Sequence, residues 1–415
     1  MKVAFYSPLP PDRSGVADYS ALLLPPLQER LDVEVVRPGG RAPRGTDVAL
    51  YHVGNNPDAH GWIFDALKQR DGVVVLHEFV LHHLIAGVTL GRGDRIGYVD
   101  AVHRDAGVVG RLLAHGVIDG VVPPLWEERP QRYPLATNVL DHATGVIVHS
   151  EYVRRLVRNT GYAERLWRIP MPAWPEPPPA GARELPQGRS LVVGCFGHVN
   201  FSKRVPELLE AFARVRERHP DALLVLGGSV SPGLDLDELL RRPELQLGES
   251  LVRLEHLDEP RLWQLLHDCD VSVNLRYPTM GETSGMVVRA LSLGKPVIVS
   301  DVGSFSELPD EVAVKIEPGP GEVDALAGAF ERLAMEPERL EAMSRAALES
   351  ARTEHGLDHV VELYVAALEE AAGGEAVEDS VVDDVARAAH DVGLTADDPA
   401  VAELGERLRE SGLGR

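Results

Sequence analysis

Residues 270–301 read DVSVNLRYPTMGETSGMVVRALSLGKPVIVSD. The stretch opens on a short apolar run, DVSVNLR, passes through a polar loop, YPTMGETSG, and continues as an apolar segment of helical period, MVVRALSLG. Gly294 ends that segment, Pro296 stands beyond it, and KPVIVSD resumes as a second apolar run. A strand, a helix and another strand in this order form the unit of a parallel sheet. The same alternation extends in both directions. LVVGCFG, ALLVLGG, LVRLEHL and VAVKIEP add strands to the second half of the chain, with helices such as VPELLEAFARVRERH between them. KVAFYS, VALYHV, GVVVLH and GVIVHS read as strands buried on both faces in the first half. Between the halves lies PEPPPAGARELPQGRS, residues 175–190, where Pro and Gly leave no period.

The pattern predicts an α/β protein with two domains facing across a cleft: residues 1–174, the linker 175–190, and residues 191–355. Helices over 356–415 follow, expected to cross back to the first domain. At 415 residues the chain exceeds the size at which one core usually stops growing. With 44% hydrophobic residues it has enough apolar material for two. Its formal net charge of −22 argues against nucleic acid as a partner, because phosphate-backbone binding relies on clustered cations. Cys195 and Cys269 lack metal-ligand spacing and are expected as buried thiols of a reducing cytosol. The start of the chain offers no signal-peptide segment, and no window has the length of a membrane span, so a cytoplasmic protein is expected. Residues 375–415 carry 11 Asp and Glu against 4 Arg. Val381, Val385, Ala389 and Val392 recur there at helical spacing, which predicts amphipathic helices.

In open parallel sheets, ligands sit beyond the carboxyl ends of the strands. After LVVGCFG comes HVNFSKR and then a helix from Val205, so Lys203 and Arg204 lie where free helix N–H groups already favour an anion. Lys is scarce, 5 in the chain, and a cation at this end opposes the helix dipole unless an anion joins it. Thr283, Ser284, Gly285 and Met286 form a second such helix start. Glu282 before them is an N-terminal charge partner or an acceptor of sugar hydroxyls, since an ionised carboxylate only accepts. Gly294-Lys295 is no phosphate loop, because it follows its helix and Pro stands where Ser or Thr would hold magnesium.

In the first half, Arg13, Ser14 and Gly15 suit a glycine loop at the cleft or a capped turn. His77 and Glu78 end a strand, and His52, Asn55 and Asn56 follow another. His82 sits one residue too far along for the His-Glu-x-x-His zinc spacing, so no metal site is expected, and core or packing roles are preferred for His82 and His83. No nucleophile elbow, dinucleotide fingerprint or Cys-His pair appears.

Taken together, GHVNFSKR with VPELLEAF, ALLVLGG, HLDEPRLWQLLHDCDVSVNL and ETSGMVVRALSLGKPVIVSDVGSFSEL resemble the retaining glycosyltransferases of family 4, over roughly residues 1–370. The resemblance implies two Rossmann-like domains facing across a cleft, the GT-B fold, and transfer of a sugar from a nucleoside-diphosphate sugar to an acceptor hydroxyl with retention, without metal or cofactor. It implies that Lys203 holds the donor diphosphate beside Arg204, and that Glu282 meets the donor sugar. Ser284, Gly285 and Met286 would present backbone N–H groups, His77 would hold a hydroxyl of the transferred sugar, and Gly15 would lie near the diphosphate. In this family the phosphate oxygen is generally read as helping to accept the acceptor proton. Two departures stand out. His198 occupies the place of a usual Arg, and the second glutamate of the family motif, which holds ribose, is absent, with Arg289 or Ala290 in its place. The alternatives are a non-catalytic nucleotide-sugar-binding protein and another GT-B enzyme, an epimerase or phosphorylase. A small soluble acceptor is favoured; the nucleotide, the sugar and the oligomeric state are left open.

Overall fold

A computed structural model describes residues 1–12, 14–231, 234–241, 243–245, 247–255, 257–373, 385–389, 394 and 399–410. Two six-stranded sheets, parallel throughout, carry the molecule. The first has the order β2-β1-β3-β4-β5-β6, from β1 (Lys2–Tyr6), β2 (Asp32–Val36), β3 (Val48–Val53), β4 (Gly72–Leu76), β5 (Ala143–Val148) and β6 (Arg165–Arg168). The second has the order β12-β11-β10-β7-β8-β9, from β7 (Val192–Phe196), β8 (Leu223–Gly227), β9 (Leu251–Leu254), β10 (Val271–Asn274), β11 (Val297–Ser300) and β12 (Ala313–Ile316).

The inner strands β3, β4, β7, β8, β10 and β11 are buried along their whole length, which is why they read as unbroken apolar runs. Strand order reverses between β1 and β3 in one sheet and between β7 and β10 in the other. At such a reversal the crossover helices diverge to opposite faces and leave a crevice beyond the strand ends.

One apolar core joins the two sheets. Phe5, Tyr19 and Leu23 of the first domain pack in it with Met171, with Val287 and Leu291 of the second domain, and with Val360, Tyr364 and Leu368 of the helix Leu357–Ala371. That helix lies against the helix Gly15–Arg30, where the Tyr19 and Tyr364 hydroxyls meet at 2.6 Å. Trp167 donates from Nε1 to Glu370 at 2.7 Å, and Arg168 pairs with Glu354. Each large apolar side chain buried this way contributes about 1.5–3 kcal/mol. The linker residues make side contacts instead of regular structure: Gly181 donates to Gln264, and Glu184 and Leu185 donate to Asp268. Both cysteines are free and buried. In the acidic terminal segment Val385 and Ala389 lie in a helical stretch and Pro399–Glu410 is a helix, while Val381 and Val392 lie outside the described residues. Among the described residues no helix is long and apolar enough to cross a membrane.

Candidate functional site

The β7/β10 reversal holds the densest set of predicted residues. After β7 the chain turns through Gly197 at φ +96, a conformation that side chains rarely adopt. A Cβ at that glycine would stand 2.9 Å from Lys203 Nζ, so its absence leaves space beside the amine. Lys203 is buried, and its Nζ donates to the Phe196 carbonyl at 2.6 Å. An ammonium has three donors; this one bond uses one of them. Burial, with help from the cation Arg276, pulls the Lys203 pKa down to about 8, against a smaller opposing effect of Cys195. A buried cation so poorly compensated favours an anion beside it.

Arg204, expected next to the same anion, is turned elsewhere. Its guanidinium grips the fully buried Glu322 through Nε at 3.1 and 3.2 Å and Nη2 at 2.5 Å, and also pairs with Glu207 at 2.8 Å. This two-point grip holds Arg204 in the left-handed region, at φ 54, as the chain enters the helix Val205–Arg216. His198 is exposed and stands between two serine hydroxyls, Ser229 at Nδ1 (2.9 Å) and Ser231 at Nε2 (2.7 Å).

Across the crevice, the helix Gly285–Ser292 begins with Ser284 as its cap. Ser284 Oγ accepts from Val287 N and from Asn274 Nδ2, which ties the helix start to the end of β10. The N–H groups of Gly285 and Met286 precede the first intrahelical bond and face outward from the helix end. Gly294 ends the segment at φ +66, where a Cβ would fall 2.7 Å from Leu348 Cγ. Glu282 is held by its own loop: Oε1 lies 2.9 Å from Arg276 Nε, and Oε2 accepts from the Thr279 hydroxyl at 3.0 Å and from Met280 N at 2.6 Å. Thr283 follows it, partly buried, at the approach to the helix.

Arg289 folds back along its own helix, its Nη1 3.5 Å from where a Cβ on Gly285 would stand. It is buried, stacks 4.2 Å from the centre of the Trp174 ring, and reaches across the domains to Asp18 at 2.7 Å, with Glu259 at 3.8 Å. Asp18 sits in the first turn of the helix Gly15–Arg30, capped by Ser14, so the pair clamps the two walls together. Gly15 starts that helix with open space around it; Arg13 lies outside the described residues.

The first domain brings His77 and Glu78 to the mouth. Phe79 N and Val80 N both donate to the Met280 carbonyl at 3.0 Å, so the loop after β4 is pinned to the loop of Glu282. Gln131 adds a bond to Thr279 O, and Glu307 of the second domain caps the helix Glu151–Asn159 by accepting from Glu151 N and Tyr152 N. Glu78 accepts from Asn55 N at 3.3 Å, and burial followed by the charge of Glu282 raises its pKa to about 7.

His52, expected at the cleft, lies wholly beneath it because it is part of β3. Its Nδ1 meets His77 Nε2 at 3.1 Å, and its own Nε2 has no partner among the described residues. A buried orphan N–H is rarer than an orphan lone pair. The proton therefore belongs on His52 Nδ1, which makes His77 Nε2 the acceptor and leaves its Nδ1 protonated. Burial first, then His149, holds both rings well below the ordinary imidazole pKa, so they are neutral at pH 7. His149 follows β5, bonds the Ile169 carbonyl at 2.8 Å, and packs its ring 5.2 Å from His77. Asn56 caps the helix Pro57–Leu67, and Asn55 bridges to Leu84 N and His83. His82 is a core residue between Tyr133 O and Tyr98 OH, whereas His83 is half exposed and paired with Glu127. Among the described residues no group of His, Cys, Asp and Glu is arranged to hold a metal.

Sequence reasoning missed Arg276, Asp18, Glu322 and His149. Arg276 and His149 carried a usable signal, a polar residue one or two positions past the end of a strand. Asp18 and Glu322 had none, because each is defined by a partner far along the chain.

Comparison with known proteins fits this geometry. Residues 182–350 match the family model described as glycosyl transferases group 1. The chain is 27% identical over 152 residues to a glycogen synthase of Mycobacterium tuberculosis, covering 36% of each protein. It is 27% identical over 183 residues to an uncharacterized glycosyltransferase, YqgM, of Bacillus subtilis, covering 43% of this chain and 49% of that one. The matches thus span about a third to a half of those relatives. Sucrose-phosphate synthase from Thermosynechococcus elongatus superposes with a TM-score of 0.62 at 16% identity, over 89% of this chain and 98% of that one. Anabaena HepE in complex with UDP and glucose gives a TM-score of 0.62 at 16% identity, over 89% of this chain and 100% of that one. The fold is therefore GT-B, with an added helical segment at its end. Its second domain bears the group 1 glycosyltransferase signature.

Proposed function

We propose that the protein transfers a sugar from a nucleoside-diphosphate sugar to an acceptor hydroxyl with retention of anomeric configuration. The observation that carries this reading is Lys203, a buried ammonium with one hydrogen bond, set beside a glycine at the β7/β10 reversal. Departure of a nucleoside diphosphate builds negative charge on its phosphates, and preorganised donors aimed there lower the barrier. Lys203 and the N–H groups of Gly285 and Met286 would take that charge. Glu282 would accept from hydroxyls of the donor sugar, and His77 would present its Nδ1–H to another. The glycosyltransferase signature of the second domain and the UDP and glucose in the HepE complex support a nucleotide-sugar donor. A small soluble acceptor fits the acidic chain.

A second reading is favoured by Arg289, which faces Asp18 where the family carries a ribose-binding carboxylate. In it the protein binds nucleotide sugar without turnover. A thermal-shift panel of nucleoside diphosphates and nucleotide sugars tests the shared claim, since a ligand of the folded state raises apparent stability. At least one nucleoside diphosphate is expected to raise Tm; a panel with no shift removes both readings. Release of nucleoside diphosphate then separates them.

A further inference from the structure

The mouth of the cleft holds two carboxyl groups in opposite states of commitment. Glu282 has three partners, Arg276, the Thr279 hydroxyl and Met280 N. Glu78 has one long hydrogen bond, from Asn55 N at 3.3 Å. A carboxylate offers about four lone-pair sites, so Glu78 keeps most of its accepting capacity free. Its position is fixed even so. The two bonds from Phe79 N and Val80 N to Met280 O place it against the donor-side loop while it belongs to the opposite domain.

We infer that Glu78 is a catalytic residue on the acceptor side of the cleft, the carboxylate that takes the proton from the attacking hydroxyl. This rests on the transfer reading above and departs from the family expectation that the leaving phosphate receives that proton. As the acceptor oxygen bonds to the anomeric carbon, the carbon–oxygen bond to the diphosphate breaks and its electron pair leaves with the phosphate. The acceptor proton passes to Glu78 and from there to water. A base for this step works best when its pKa lies near the operating pH, and Glu78 is held at about 7 by burial and by Glu282. The groups around it are Asn55 from the loop after β3, neutral His77 beside it, and Glu282 and Arg276 from the donor loop. Among the described residues, His83 and Glu127 connect to it through Asn55.

The test uses the full chain, UDP-glucose, UDP-N-acetylglucosamine and GDP-mannose as donor probes, and water as the attacking group, with nucleoside diphosphate release followed from pH 5 to 9. Wild type is expected to speed up as pH rises through about 7. Glu78→Gln, close in shape, is expected to lose on the order of a hundredfold in rate, together with that pH limb, as for a lost general base. Its thermal shift with UDP or GDP should match wild type. Sodium azide attacks without giving up a proton, so it should restore Glu78→Ala at least about tenfold and yield a glycosyl azide, where sodium chloride does not. Wild-type rate and an unchanged pH limb in Glu78→Gln would overturn the inference alone, as would equal azide response in wild type and Glu78→Ala. A wild-type chain shifted by UDP or GDP that releases none from any probe fails the transfer reading, and the role of Glu78 falls with it.

Discussion

Arg289 ties the two domains together through Asp18 and the Trp174 ring. Its guanidinium donates to Asp18 at 2.7 Å with the Arg side chain 7% exposed and the Asp side chain 40% exposed. A charged hydrogen bond is worth about 1.5–3 kcal/mol when buried; the half-exposed Asp brings it down to about 1–1.5 kcal/mol. The stack on Trp174 at 4.2 Å, with Trp263 at 5.8 Å, adds about 1–2 kcal/mol. Replacement by Met recovers about 1 kcal/mol of apolar contact with the two indoles. Arg289→Met should therefore cost about 2 kcal/mol. At about 2.1 cal/mol/K of unfolding entropy per residue, that lowers Tm by only about 2 °C in a chain of this length. Urea melts followed by Trp fluorescence are the better assay, because Trp174 and Trp263 report from the clamp. In a double-mutant cycle with Asp18→Asn, the coupling should be about 1 kcal/mol. Arg289→Glu, which sets a carboxylate against Asp18 and Glu259, should cost more than Arg289→Met. A coupling under about 0.3 kcal/mol, the ordinary error of additivity, would refute the clamp.

Three further outcomes follow from buried charge. Glu322→Ala removes the buried partner of Arg204 and leaves it Glu207, at 2.8 Å, with the guanidinium side chain 23% exposed. The cost should therefore fall below the full penalty of a broken buried pair, at about 2 kcal/mol, and wild-type urea stability in that variant would contradict the pairing. Lys203 has a folded pKa of about 8, below its ordinary 10.5. The unfolded chain binds that proton more readily between these values, so stability should rise with pH across the window. Below about pH 8 the full penalty applies, on the order of 3 kcal/mol. Lys203→Met should then be more stable than wild type at pH 7, with the gain shrinking toward pH 10; a less stable variant at pH 7 would contradict it. His52 and His149, both buried, and His77 at the mouth have lowered pKa values, that of His149 down to about 4. The unfolded chain takes up protons first as pH falls below about 6.5, so stability should drop from there toward pH 4. His149→Gln should make that acid limb shallower in chemical melts at pH 4.5, 5.5 and 6.5, and an unchanged slope would argue against a neutral buried ring.

The sequence made some parts of this molecule easier to read than others. All six strands of the second sheet were legible, and in the first sheet β1, β3, β4 and β5 were. The two that escaped, DVEVV and RLWR, are β2 and β6, the edges of that sheet. In these two edges Asp, Glu and Arg interrupt the apolar run and the signal of a buried strand is lost, whereas the edges of the second sheet, β9 and β12, keep a single cation among apolar neighbours and stay legible. In the site, residues at strand ends were found because topology puts them there. What their side chains do was less legible. Arg204 looks like a free cation in the sequence until Glu322, 118 residues later, takes it. Arg289 finds Asp18 across 271 residues. His52 belongs to β3, which is buried along its whole length, whereas His77, one residue past β4, stays at the mouth.

In the proposed transfer, Lys203 is the cation that receives the leaving diphosphate. The most direct test is kcat/KM for nucleotide-sugar turnover by wild type and Lys203→Ala, using the donor that the thermal-shift panel selects. The expected loss is on the order of a hundredfold or more, the effect of removing one preorganised donor from the developing charge. Equal kcat/KM in the two proteins would contradict the assignment.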